Sequence, residues 1–154
     1  MIRLAVFALL ALPLSAHAAP AYEFGRMAIG TPVEAAPAWA AWSTCDDAKS
    51  LDDCTFADDD GVTYSVFEHH LTGKSIEADG TTKLPFGLTA HDTAKIIAAL
   101  SKRLGIRLVK KPGSSEYTSP RLDVANFNAL HLSVDFDKAG HLSAVYLADD
   151  LVEN

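Results

Sequence analysis

At 154 residues the chain has about the length of one domain, which excludes a large multidomain enzyme. Hydrophobic residues at 49% and charged residues at 21% are ordinary globular usage and exclude a disordered chain. A formal charge of −7 argues against nucleic acid and acidic membrane surfaces as partners, since both are gripped by an excess of Lys and Arg.

The first eighteen residues read as an export signal. Arg3 supplies the positive start, Leu4 to Leu14 an apolar run interrupted at Pro13, and Ala16-His17-Ala18 the small residues of a cleavage site. The run is well short of the roughly 20 apolar residues that cross a bilayer. Residues 1–18 are thus expected to be removed, leaving 19–154 as a single periplasmic or secreted domain with no membrane insertion.

Thr31-Pro32 predicts a helix start, with threonine as cap, proline at the first helical position and Glu34 in the first turn. Val33 to Trp42 would form its body, with Pro37 as a defect. Cys45 and Cys54 follow, the only cysteines in the chain. In an oxidising compartment a disulfide is the leading reading. Zinc is the competing one, yet its cysteine pairs sit at C-x2-4-C and need two further ligands. From Asp46 to Asp60, seven aspartates stand against one lysine, a local charge of −6 suited to steering a cationic partner. Asp58-Asp59-Asp60-Gly61 does not read as an EF-hand loop, because Phe56 and Phe67 stand where that loop needs acids. Turn chemistry explains the run.

Val62, Tyr64 and Val66 alternate with polar residues as in a half-buried strand. Leu71-Thr72-Gly73-Lys74 predicts the turn of a hairpin, with Ser75 to Ala78 returning. Thr89 and Asp92 resemble a capping box. Thr93, Ile96, Ile97, Leu100 and Leu104 then share a helix face that Gly105 ends, with Lys102 and Arg103 complementing the dipole in the last turn. Ile106 and Leu108 predict a strand ended by Pro112-Gly113, and 114–120 reads as a surface loop. Leu130, Leu132, Val134 and Phe136 alternate with polar residues, and Asp137-Lys138-Ala139-Gly140 predicts a three-residue hairpin loop. That register pairs Phe136 with Leu142, Val134 with Ala144 and Leu132 with Tyr146. The opposite face then gathers His131, Ser133, Asp135, His141 and Ser143.

Two passages share an order of parts. Phe24-Gly25 leads to Gly30-Thr31-Pro32-Val33, and Phe86-Gly87 leads to Leu88-Thr89-Ala90-His91, 62 residues on. Each opens an expected helix followed by a hairpin, which suggests tandem sub-units at 22–80 and 84–150. Gly30-Thr31 with Val33, the cysteine pair after the first helix, and the hairpins resemble β-lactamase-inhibitory protein and the related small outer-membrane-assembly lipoprotein modules. The resemblance touches most of the exported chain, although the second unit has no cysteine pair and no glycine at its helix opening. It implies an α+β fold, with helices packed on one face of an antiparallel sheet and the other face open to a protein partner.

The predicted function is an exported, non-enzymatic binding protein of inhibitor or immunity type. Its predicted contact set is Tyr64, His69, His131, Ser133, Asp135, His141 and Ser143, with no cofactor and no metal. His131, Asp135 and His141 are also the ligand types of a zinc or copper site, so a small periplasmic metal-binding protein or hydrolase is the second reading. His69 and His70, as strand neighbours, point to opposite faces and do not share an ion. An envelope-assembly accessory domain is the third. No G-x-S-x-G elbow or free cysteine supports nucleophilic catalysis.

Overall fold

The computed structural model describes residues 20–45, 49, 51–122 and 130–149. The expected export signal lies outside these residues. Among them, eight strands form one antiparallel sheet: β1 (Trp42–Thr44), β2 (Cys54–Ala57), β3 (Thr63–Phe67), β4 (His70–Glu77), β5 (Val109–Lys110), β6 (Tyr117–Thr118), β7 (Leu130–Phe136) and β8 (Leu142–Asp149). Their order is β1-β2-β3-β4-β8-β7-β6-β5. The first four strands and the last four are each a meander, and the closing strands of the two, β4 and β8, pair at the centre of the sheet.

One face carries the core. Phe56, Tyr64, Val66, Ile76, Val145, Leu147, Leu132 and Val134 are buried there at period-two spacing. They are covered by Phe24, Ile29 and Val33 of the N-terminal segment, and by Leu84, Leu88, Ile97, Leu100, Leu104 and Leu108. Trp39 lies edge-on against Phe56 and Tyr64, with ring centres 5.6 and 5.8 Å away.

This is a mainly β architecture and corrects the expected α+β class with helices layered on the sheet. Among the described residues the α-helix is α1 (Ile97–Leu104), entered through a 3-10 turn at Ala94–Ile96. The expected helix over 33–42 does not form. The Thr31 hydroxyl, instead of capping forward, donates back to the Ala28 carbonyl at 2.6 Å. The backbone is taken by β4: Gly30 N–H donates to Leu71 O at 2.8 Å, Leu71 N–H to Thr31 O at 3.0 Å, and Val33 N–H to His69 O at 2.8 Å. Residues 30–33 therefore run as an extended strap beside β4, and ladder bonds outcompete a helix already weakened by Pro37.

The second helix forms with its expected face. Ile97, Leu100 and Leu104 are buried, and Gly105 ends it at φ 68°. Its opening is later than the Thr89 signal implies. Asp92 accepts from Thr89 N–H at 2.8 Å, but its carbonyl is held by Leu142 N–H at 2.7 Å, so the pair closes a turn on β8 before the helix begins.

Two hairpins differ in detail from expectation. The β3–β4 turn falls at Glu68-His69, both in the left-handed region at φ 47° and 61°, rather than at 71–74. Gly73 is no turn residue. It sits inside β4, paired with Ser65 of β3 and Ala148 of β8, where a Cβ would make ordinary contact with theirs at 3.4 and 3.5 Å. In the β7–β8 hairpin the loop forms as expected, with Gly140 N–H donating to Asp137 O at 2.9 Å, and Phe136 pairs with Leu142. A bulge at Ser143 then shifts the register, so Val134 pairs with Val145, Ser133 with Tyr146 and Leu132 with Leu147. The segment 114–120 is not all loop, since Tyr117–Thr118 joins the sheet as β6.

Cys45 and Cys54 form the expected disulfide, tying the end of β1 to the start of β2. No helix among the described residues is long and apolar enough to cross a membrane.

Candidate functional site: the outer face of the sheet

The face opposite the core is built from cross-strand rows. Ser65, Gly73, Ala148 and His131 make one; Thr63, Ser75, Tyr146, Ser133 and Thr118 the next; Glu77, Ala144 and Asp135 a third. Small side chains along β3, β4 and β8 leave a concave groove of about 710 Å³. Its taller walls are His131, Asp135, Tyr146 and the Lys111–Glu116 pair, whose Nζ and Oε2 lie 3.2 Å apart.

The polar groups of the groove are held in place. His131 Nδ1 donates to the Ser119 carbonyl at 2.8 Å. Ser133 Oγ donates to Thr118 Oγ1 at 3.1 Å. Asp135 Oδ1 accepts from Ser115 Oγ at 2.7 Å and from Phe136 N–H at 2.8 Å. Ser119 is itself buried and accepts from Leu132 N–H at 3.0 Å. Tyr146 is 38% exposed, the large apolar surface of the groove. Partial burial pushes its phenol pKa up, and the carboxylates of Asp135, Glu77 and Glu116 add to the rise, so the ring stays a neutral donor. The arrangement suits contact: a hydrogen-bonding floor, one exposed aromatic ring, and carboxylates on the rim. It does not suit nucleophilic catalysis, because the Ser133 proton is engaged by Thr118 rather than by a base.

Of the residues singled out from the sequence, His131, Ser133 and Asp135 share this face and line the groove. The others lie elsewhere. Tyr64 is fully buried on the core face. His69 occupies the β3–β4 turn, its Nδ1 3.5 Å from Glu34 Oε2. His141 bridges to Thr93 beyond the groove, and Ser143 is the bulge residue, its carbonyl accepting from Ala78 N–H at 2.8 Å. The possible ligand set of His131, Asp135 and His141 is not assembled, and no group of three or more His, Cys, Asp or Glu among the described residues could hold a metal ion.

Tyr146 is the groove residue that sequence reasoning put on the wrong side. The unbulged register left Val145 and Leu147 on the polar face, and that pair of stranded apolar residues was the signal of the bulge.

On the core face two polar clusters fasten the N-terminal segment. The Tyr64 hydroxyl donates to Asp58 Oδ2 at 2.6 Å and accepts from Arg26 N–H at 2.6 Å. Asp58 Oδ1 accepts from Asp60 and Val62 N–H, each at 3.0 Å, as turn chemistry requires. Lys74, 2% exposed, donates to Glu23 Oε2, to Phe24 O at 2.6 Å and to Met27 O at 2.8 Å. All three ammonium protons are thus satisfied. Burial lowers the Lys74 pKa, and Glu23 opposes the shift. Both clusters are internal ties rather than sites.

Compared with family models, curated proteins and solved structures, the chain matches none.

Proposed function

We propose that this is an exported, non-enzymatic binding protein of inhibitor or immunity type, which contacts a protein partner through the outer face of its sheet. The observation that carries the reading is the groove. The outer face opens as a groove across β3, β4, β8 and β7, and its polar groups are already held by hydrogen bonds before any partner arrives. Such preorganisation lowers the entropy lost on association, and an exposed tyrosine ringed by polar groups is the usual composition of a binding hot spot. The Cys45–Cys54 disulfide supports export to the periplasm or beyond, as does the leader-like composition of residues 1–18.

The test compares the immobilised protein with Tyr146→Ala and Ser133→Arg in capture from cell-envelope and secreted fractions. Tyr146→Ala stays close to the wild-type melting temperature, and Ser133→Arg, which replaces a buried serine bonded to Thr118, is compared only after its circular dichroism is shown to be wild type. The reading holds if a protein retained by wild type is lost by both, and fails if the variants retain it equally or if wild type retains nothing.

A further inference from the structure

On the outer face, the cross-strand row beside Tyr146 carries charges that do not balance. It runs from Lys111 through Glu116, Asp135 and Ala144 to Glu77. Lys111 Nζ answers Glu116 Oε2 at 3.2 Å. Asp135 and Glu77 remain, one on each side of Ala144, and neither carboxylate is in an ion pair with a described residue. Asp135 engages Oδ1, which accepts from Ser115 Oγ and Phe136 N–H, and no described residue donates to its Oδ2. Glu77 is exposed and is hydrogen-bonded to no described residue. Like charges gathered on one sheet face destabilise it, so the row is one positive charge short at Ala144.

The surroundings of Ala144 form a small socket. Its buried methyl is the floor, and Asp135 and Glu77 stand on the strands to either side of β8, roughly 10 Å apart at two strand spacings. Tyr146 lies two residues along β8 on the same face, 38% exposed, and walls the socket where it meets the groove. Both carboxylates are near enough to its phenol to oppose ionisation of the ring. An aromatic ring with two carboxylates beside it is an environment for a cation. A metal ion is poorly served, because no group of three or more His, Cys, Asp or Glu among the described residues could hold one. A lysine ammonium is a compact point charge, whereas a guanidinium is planar, donates along more than one edge and stacks on aromatic faces, which suits two separated carboxylates and a ring.

We propose that this socket takes the guanidinium of an arginine side chain of the protein partner, bonded by Asp135 on one side and Glu77 on the other and stacked on Tyr146. The inference rests on the reading of the outer face as a partner-binding surface and names the chemistry the partner brings to it. A net charge of −7 on the chain draws a cationic surface toward the socket. Tyrosine and arginine are the residue types that dominate binding hot spots, and the arriving charge also relieves the repulsion within the row.

Titration of the peptide acetyl-Gly-Arg-Gly-amide into the isotope-labelled full chain, followed by nuclear magnetic resonance, tests this, with the lysine and citrulline peptides for comparison. At about 20 mM NaCl the arginine peptide shifts the amide signals of Ala144, Val145 and Tyr146, and its affinity falls about fivefold in Glu77→Gln and in Tyr146→Leu. The lysine peptide binds several-fold more weakly, and the citrulline peptide, which keeps the planar shape without the charge, does not bind. Glu77 is exposed and holds no described group, so Glu77→Gln keeps the fold; Tyr146→Leu is checked by circular dichroism. Equal shifts from the arginine and citrulline peptides, a lysine peptide that binds as tightly, shifts confined to another surface, or an unchanged affinity in Glu77→Gln each overturn the proposal. Failure here and failure of the partner-binding reading are separable. A protein captured by wild type, lost by Tyr146→Ala and fully retained by Glu77→Gln and Asp135→Asn overturns the arginine socket and leaves the binding face standing. Arginine peptide bound at Tyr146 with no protein captured supports the socket and counts against the partner-binding reading.

Discussion

The Tyr64 hydroxyl lies 2.6 Å from Asp58 Oδ2, and this bond between a buried phenol and a buried carboxylate locks the β2–β3 turn to the first segment of the chain. The Arg26 amide completes it. Tyr64→Phe keeps the ring but leaves that amide and the carboxylate short of a partner, at a cost of about 1.5–3 kcal/mol. Urea unfolding of the two proteins measures it, and a loss under about 0.5 kcal/mol would mean that the bond adds nothing net.

The same phenol sets a pH dependence. Burial and the hydrogen bond to Asp58 raise its pKa well above the ordinary 10.0. Below pH 10 both folded and unfolded chains keep the proton, so Tyr64 adds no slope. Above it the unfolded phenol ionises while the folded one does not. The folded state then binds more protons and stability falls as pH rises. Chemical denaturation between pH 8 and about 11 shows a steeper alkaline loss in wild type than in Tyr64→Phe. Parallel curves would refute the assignment.

Lys74→Ala strands Glu23 in the interior with the carbonyls of Phe24 and Met27, at a cost of about 3–5 kcal/mol. Lys74→Met combined with Glu23→Gln removes both charges and recovers part of the loss. A double variant no more stable than Lys74→Ala would show that packing rather than charge is at stake.

The bulge at Ser143 makes neighbouring residues differ sharply. Val145 is fully buried and Tyr146 is on the groove, so Val145→Ala costs about 1–2.5 kcal/mol and Tyr146→Ser about 0.5 or less. The reverse order in thermal melts would restore the unbulged register.

Reduction of Cys45–Cys54, or the double serine variant, removes a cross-link over a separation of nine residues. The chain-entropy estimate is about 2.5–3 kcal/mol. A core of this size survives that loss, so the reduced protein remains folded at room temperature with a lower melting point. Unfolding on reduction would show the core to be weaker than its burial indicates.

Much of this fold was legible wherever local pattern and tertiary environment ask for the same thing. The strand 130–136 alternates because one face is buried, Gly140 and Gly105 stand where the backbone must be left-handed, and the helix face at Ile97, Leu100 and Leu104 is the one the core covers. His131, Ser133 and Asp135 followed from the same period, so part of the groove was legible too.

What composition and spacing determined unaided was a folding chain with a disulfide, a β3–β4 hairpin, a β7–β8 hairpin and one amphipathic helix. What only tertiary structure decided turns on bonds between distant residues. Thr31-Pro32 is a good helix start in isolation, but β4 offers 30–33 a ladder of three hydrogen bonds, and a ladder outweighs a cap. Gly73 reads as a turn until Ser65 and Ala148 arrive on either side, and Tyr146 faces the core until one extra residue at 143 turns it over to the groove. A strand's side chains alternate with a period of two, so a single inserted residue reverses every side chain beyond it, and where that residue is inserted is fixed by the pairing of β8 with β7.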